Sequence, residues 1–276
     1  MKTFLKIFTT IVFLFLYLPM IVLIVASFNS GTDVAAFQDF TFSQYGELFR
    51  DDTLLRLLLN SLIVAVISSF AATIIGTAAA VGIHNMKPAL RRTVMSITNI
   101  PMTNPDIVTG VSLALLFALL GMFLKVESVL GFGTLLIAHI TFNLPYVILS
   151  VMPKLSQMDR NLVEAAQDLG CTPVMAFFKV TIFEIMPGII SGLMMAFTMS
   201  LDDFVISYFV TGMDFITLPV EIYNYTKKPV PSKIYALFTL LFLLILVVMI
   251  TMNLLQAKSE NKRQAHGASK RKKGVA

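Results

Sequence analysis

Two adjacent carboxylates, Asp202 and Asp203, stand in an otherwise apolar run from Ile185 to Val205. A carboxylate at membrane depth costs about 2.5 to 3.5 kcal/mol at the centre of a spanning helix and less near its ends, so it calls for an aqueous cavity, a partner or a passing cation. Neighbouring helical positions point about 100° apart. On one helix, toward its outer end, one of the two would therefore meet a path while the other caps, pairs or contacts a neighbouring helix. Phe204, Tyr208, Phe209, Tyr223 and Tyr225 supply ring faces. These either stack on an alkylammonium or form the ordinary aromatic belt at a membrane interface. His139 and Asn143, four residues apart, share a helical face and either line a cavity or bond between helices. Asp106 follows Pro105, where an acid suits the positive end of a starting helix. Asp202, Asp203, Tyr208, His139 and Asp106 are the candidates for a substrate path.

Other chemistries lack their residues. His84, His139 and His266 lie far apart with no carboxylate or cysteine at ligand spacing, which argues against a metal site. Cys171 is the one cysteine, so no disulfide forms within the chain. There is no G-x-x-x-x-G-K-[ST] loop to cradle a nucleotide. No cofactor is expected in this chain, and no catalytic residue.

The elements that must position these residues are membrane helices. Hydrophobic residues make up 57% of 276 and charged ones 13%, with a mean hydropathy of +0.82; a soluble core could not hide that much. Runs of about 20 apolar residues cross the bilayer hydrocarbon, and six are marked: Ile7 to Phe28, Asn60 to Ile83, Pro105 to Leu124, Gly131 to Met152, Ile185 to Val205 and Lys233 to Leu255. The first is too long for a signal-peptide core, and isoleucine at the first position of Ile24-Val25-Ala26 makes a poor cleavage site, so it reads as an uncleaved anchor. In the second, Gly76 and Ala80 have the small-xxx-small spacing that lets helices approach closely. The expected organisation is a six-span membrane domain over 1–257, with a cytoplasmic loop at 153–184 inside it, and a basic tail over 258–276.

Orientation follows from the cations. One side of this arrangement collects Lys2, Lys6, Lys87, Arg91, Arg92, Lys154, Arg160, Lys179, Lys258, Lys262, Arg263, Lys270, Arg271, Lys272 and Lys273, which is 15 of the 21 basic residues. The other holds Arg50, Arg56, Lys125, Lys227, Lys228 and Lys233, and its first loop is acidic with Asp33, Asp39, Glu47, Asp51 and Asp52. Both termini are accordingly expected in the cytoplasm. The net charge of +5 resides mostly in the tail, a solvated flank near anionic lipid rather than a nucleic-acid site. Between the fifth and sixth spans, Pro219, Pro229 and Pro231 leave room for a short external helix and an irregular return.

The cytoplasmic segment 153–184 is more than a link. Asn161 and Glu164 have capping-box spacing. Leu162, Ala165, Ala166 and Leu169 form one apolar stripe opposite Glu164, Gln167 and Asp168. Gly170 suits a left-handed helix end, and Thr172-Pro173 starts a second helix. A first helix of about nine residues is marginal alone in water, so it packs on its own bundle or in a partner's groove.

Taken together, Glu164-Ala165-Ala166, Gly170, Phe177, Val180, Ile182 and Pro187-Gly188-Ile189 resemble the EAA signature of ABC-importer permease subunits. Phe183 departs from it, standing where proline is common. Asn104-Pro105-Asp106-Ile107-Val108, Ala138-His139-Ile140-Thr141-Phe142, Ser200-Leu201-Asp202-Asp203-Phe204, Phe209-Val210-Thr211-Gly212 and Leu218-Pro219 are similar to the second membrane subunit of spermidine/putrescine importers. The resemblance implies an all-α membrane protein of the MetI-like permease fold, with six spans and cytoplasmic coupling helices. Glu164, Ala165, Ala166 and Gly170 would couple to a separate ATPase dimer that binds ATP and magnesium. A second permease subunit would complete the path, and an extracellular or periplasmic binding protein would deliver polyamine across a bacterial inner or plasma membrane. The same machine for iron, thiamine or an oxyanion is one alternative, though Asp202 and Asp203 serve an anion poorly. An ATP-independent transporter or channel would need no EAA segment, and a membrane anchor or receptor for a cytoplasmic partner would need only the Glu164 loop.

Overall fold

A computed structural model describes residues 2–31, 36–126, 129–159, 161–213, 215–227 and 231–273. Asp33, Arg160, Lys228 and Pro229, named above, lie outside these. The described chain is helical; its one strand-like pairing is an isolated bridge between Asn29 and Phe40. Six helices are long and apolar enough to cross a membrane. The chain forms two compact units, Met1–Leu55 with Lys228–Ala276, and Arg56–Lys227.

The first unit holds α1 (Lys2–Ala26), α2 (Ser43–Phe49) and α12 (Ser232–Lys273). The most apolar stretch of α1 is wholly unburied, as suits a helix facing lipid or another chain. Phe28, Phe40, Phe42 and Tyr45 cluster beyond it, with ring centroids 5.2 to 6.3 Å apart. Asp51 ties the ends together. Its Oδ1 accepts from the amides of Thr53 and Leu54, 3.1 Å each, and its Oδ2 from Lys233 Nζ at 2.6 Å. The Lys233 ammonium holds the Asp51 carboxyl below its ordinary range. Helix α12 begins as the sixth candidate span, Ser232–Thr251, and runs on to Lys273.

The second unit contains nearly all of α3 (Asp52–His84), then α4 (Pro88–Thr103), α5 (Asp106–Leu124), α6 (Phe132–Gln157), α7 (Asn161–Asp168), α8 (Pro173–Ala176), α9 (Ile182–Asp202), α10 (Val205–Val210) and α11 (Leu218–Thr226). In lipid the association of helices depends on close packing more than on the hydrophobic effect, and glycines provide it here. A Cβ on Gly188 would come 2.8 Å from the Ser150 carbonyl oxygen, one on Gly192 3.2 Å from Val147 Cα, and one on Gly76 2.7 Å from Val147 Cγ1. Both α3 and α9 thus close on α6 around Val147 and Val151, which are fully buried.

Helix α4 was not anticipated from the sequence. It carries Arg91 and Arg92 and bends into α5 at Asn104-Pro105, with Arg91 Nη2 donating to Ser156 Oγ of α6 at 3.0 Å. The short helix expected between the fifth and sixth spans is α11. A π-helical turn, Phe177–Thr181, joins α8 to α9 without a bend at Phe183.

Candidate functional site

The largest correction concerns Asp202 and Asp203. The fifth span does not run to Val205: α9 ends at Asp202, Asp203 is extended with φ −63° and ψ 116°, and α10 begins at Val205. The two acids do not share a helix, so the angular argument fails. Just before the break, α9 packs beside the middles of two other helices. Ser200 Oγ lies 2.9 Å from Ser68 Oγ, halfway along α3, and accepts from Asn143 Nδ2, near the middle of α6, at 2.7 Å.

Asp203 is the cap of α10, and that explains the break. Its Oδ1 accepts from Ile206 N at 3.2 Å; its Oδ2 accepts from Ser207 N and Ser207 Oγ, both at 2.8 Å. His139 Nε2 lies 3.0 Å from Ser207 Oγ and 3.4 Å from Asp203 Oδ2. Because Ser207 spends its proton on Asp203, Nε2 of His139 must carry the hydrogen that joins the two helices. His139 is 1% exposed and Ser207 fully buried. His139 and Asn143 therefore bond between helices rather than line an open cavity. His139 Nδ1 and Asn143 Oδ1 are buried with no hydrogen-bond partner among the described residues.

Asp202 behaves differently. It is exposed and has no ion-pair partner among the described residues. Just beyond it the rings of Phe204, Tyr208 and Tyr223 form a triangle, with centroids 4.4 Å (Phe204–Tyr223), 5.5 Å (Phe204–Tyr208) and 6.0 Å (Tyr208–Tyr223) apart. Lys227 Nζ sits 4.6 Å from the Tyr223 centroid, so one face of the cluster already receives an alkylammonium. Tyr208 is 44% exposed.

A second break lies nearby. A Cβ on Gly110, one turn after Asp106, would come 3.0 Å from Phe209 Cδ2 and 3.3 Å from Ile206 Cα, so the start of α5 packs beside the start of α10. Asp106 is exposed in the first turn of α5, as the charge–dipole argument expects. The interruption at Asn104-Pro105 thus lies five residues before the contact that α5 makes with α10.

At the end of the unit carrying α7, the predicted helix–glycine–helix is present, with one shift. Asn161 is already helical, its amide donating to Asp159 Oδ1 at 3.0 Å, so it does not form the capping box with Glu164. Gly170 has φ +90°. Cys171 N donates to Ala166 O at 3.0 Å and Gly170 N to Gln167 O at 2.8 Å, the paired bonds of a Schellman end. Thr172 Oγ1 then caps the next helix by accepting from Met175 N at 3.3 Å.

No residue of α7 is buried; Val163 and Ala166 are half-buried and the rest, polar and apolar alike, are exposed. Glu164 and Gln167 border a cavity of about 380 Å³ that also touches Val81, Leu155 and Phe177 of the same unit. Leu162 and Leu169 point outward, 43% and 87% exposed, and Ala165 is exposed with them. Val174, Met175 and Phe178 follow at 67%, 43% and 60%. Among the described residues no cluster of histidine, cysteine and carboxylates could hold a metal.

Six apolar helices, glycine-mediated packing and an exposed apolar helix pair describe a membrane-spanning chain. Residues 72–262 match the family described as binding-protein-dependent transport system inner membrane component, and the chain belongs to that family. It is 39% identical over 248 residues to the spermidine/putrescine transport system permease protein PotC of Escherichia coli K12, covering 90% of this chain and 92% of that one. It is 38% identical over 252 residues to the putrescine transport system permease protein PotI of the same strain, covering 91% and 90%. The fold is shared with a chain of a bacterial ABC transporter involved in alginate import (TM-score 0.73, 16% identity, 93% and 95% covered) and one of the MetNI methionine ABC transporter (TM-score 0.61, 20% identity, 74% and 95% covered).

Proposed function

We propose that this chain is one of two membrane subunits of an ATP-driven importer of polyamines. The observation that carries the cargo class is the exposed Asp202 carboxylate, without an ion-pair partner among the described residues and two positions before Phe204 of the Phe204–Tyr208–Tyr223 triangle, whose Tyr223 already receives the Lys227 ammonium at 4.6 Å. A carboxylate and ring faces are what a protonated amine needs on leaving water. The relatives named for spermidine and putrescine transport support the same reading. Asp202 and Tyr208 meet the cargo, and Asp106, at the neighbouring break, contributes negative potential. Discontinuous helices near mid-depth are a common way to build such a site.

An ATPase dimer docks on α7 and α8. The outward Leu162, Leu169, Val174 and Met175 supply an apolar anchor, Ala165 and Ala166 keep the helix slim, and Gly170 fixes the turn. Glu164, facing the cavity beside α3 and α6, transmits the motion into the bundle. ATP and magnesium belong to that partner, and this chain makes no covalent chemistry. Closure of the dimer moves the spans between inward-open and outward-open arrangements. Both termini are cytoplasmic, a binding protein delivers cargo from outside, and a second permease subunit completes the path.

The test is uptake of labelled spermidine in cells lacking polyamine importers. The reading expects uptake only when this chain is expressed with a second permease, the ATPase and the binding protein. It also expects Asp202→Asn to lower uptake at least tenfold with the complex intact. Uptake by this chain alone would replace the reading with an ATP-independent one.

A further inference from the structure

The proposed path uses Asp202 and leaves unexplained why a second carboxylate is buried beside it. Asp203 has a side chain 9% exposed, and both of its oxygens are engaged. Oδ1 takes the Ile206 amide, and Oδ2 takes the Ser207 amide and hydroxyl with His139 Nε2 at 3.4 Å. An ammonium reaching Oδ2 would have to displace these bonds. The six residues of α10 could not hold a helix by themselves, yet they are fixed at both ends to α6. Ser207 Oγ is 3.0 Å from His139 Nε2, and Thr134 Oγ1 donates to Val210 O at 3.0 Å.

The geometry assigns Asp203, Ser207 and His139 a joint role as positioning residues that lock α10 to α6 and so hold Tyr208 against the break where Asp202 meets the cargo. This rests on the polyamine reading. The lock also sets the sign of the site. A free helix N-terminus facing the break would repel a cation, and the Asp203 side chain removes it by accepting the amides of Ile206 and Ser207. What remains facing the break is the negative C-terminal end of α9 and Asp202. His139 enters through its Nε2–H, which bridges to the Ser207 hydroxyl and closes the chain from α6 to the cap.

The experiment uses the complete complex with Cys171→Ser and Tyr208→Cys, reading the rate at which a membrane-impermeant maleimide labels position 208. Asp203→Ala is expected to change that rate at least fivefold, the factor that ~1 kcal/mol of lost capping corresponds to. Asp203→Asn keeps one of the two acceptor oxygens and turns an NH2 group toward the donor of the other, so it should change the rate by less than Asp203→Ala does. His139→Leu should behave as Asp203→Ala does, and His139→Gln, which keeps an N–H within reach, should restore the parent rate. In uptake with Tyr208 intact, Asp203→Asn should retain more than half of the activity that Asp203→Ala loses. Asp202→Asn and Asp202→Ala should be equally impaired.

Unchanged labelling in Asp203→Ala and His139→Leu overturns the proposal. So does loss of uptake in Asp203→Asn as complete as in Asp203→Ala with labelling unmoved, since the charge itself would then meet the cargo. Should Asp203→Ala fail to reach the membrane, Ser207→Ala removes only the hydroxyl bridge and must change labelling at least twofold, or the proposal falls. Normal uptake with Asp202→Asn would refute the polyamine-path reading alone, because the labelling results do not depend on it.

Discussion

Gly170 is the position where backbone conformation can be separated from every other effect. Its φ of +90° lies where an L-residue pays about 1–2 kcal/mol, and asparagine pays least. No heavy atom lies within 4 Å of a Cβ built there, so the cost of a side chain is the dihedral alone. The expected order of function is therefore Gly, Asn, Ala, Val, and not an order of size, in which Ala would precede Asn. For Gly170→Ala a strain of about 1–2 kcal/mol corresponds to a factor of about 5–30. If the surrounding fold holds the Schellman turn, that factor appears as lost stability, a fall of a few degrees in the melting temperature of the complex. If the turn relaxes, α7 swings relative to α8 and binding-protein-stimulated ATP hydrolysis falls by up to the same factor. Measuring melting and stimulated hydrolysis on one preparation captures both. Gly170→Ala indistinguishable from the parent in both, or Gly170→Asn worse than Gly170→Ala, would refute the reasoning.

Leu169→Asp, at a side chain 87% exposed in the chain by itself, should leave insertion and permease pairing intact while weakening ATPase retention on an affinity column. Burial of a leucine contributes about 1.5–3 kcal/mol, so roughly a tenfold or greater loss is expected. Gly188→Ala should destabilise the bundle by about 1–3 kcal/mol, because its methyl would come 2.8 Å from a backbone oxygen that cannot rotate away; thermal unfolding in detergent measures it. The Asp51–Lys233 pair should contribute about 0.2–1 kcal/mol, less at high salt. Since Lys233 lowers the Asp51 pKa in the folded chain, that contribution is complete above the ordinary carboxylate value of about 4 and is lost as pH falls through the depressed one. A melting-temperature series from pH 7 to pH 3 should show Asp51→Asn converging on the parent at the acid end.

The spans were legible because hydropathy sums over twenty residues, and errors at single positions average out. Helix α7 was legible because glycine at a left-handed position and threonine before proline are local signals that no tertiary contact overrode. Averaging hid the break in the fifth span, since Ile182–Asp202 and Val205–Val210 read as one apolar stretch with neither proline nor glycine between them. Its signal was present in Asp203, an N-cap residue followed three and four residues later by the amides it accepts. A capping role for one of the two acids follows from the sequence, but on a single helix running to Val205, which hides the new helix start that Asp203 serves. Helix α4 was missed for another reason. Arg91, Arg92, Pro88 and Pro101 spoil a span, while the exposed Leu90, Ile97 and Ile100 form a stripe too short to register as one.

The pairing of an exposed and a buried carboxylate has a physical logic that either residue alone would lack. A path for a multiply charged amine needs negative potential at mid-depth, and a continuous helix cannot provide it, since its mid-span carbonyls are consumed internally. Breaking the helix releases carbonyls at the end of α9, but the same break creates a helix start, whose amides would cancel them. One acid must therefore be spent on that start, buried and fixed by His139 and Ser207, before a second can face the cargo. Exchanging the two roles is not possible in this geometry, because Asp202 lies within α9 and cannot reach the amides of Ile206 and Ser207 without unwinding the turn it belongs to.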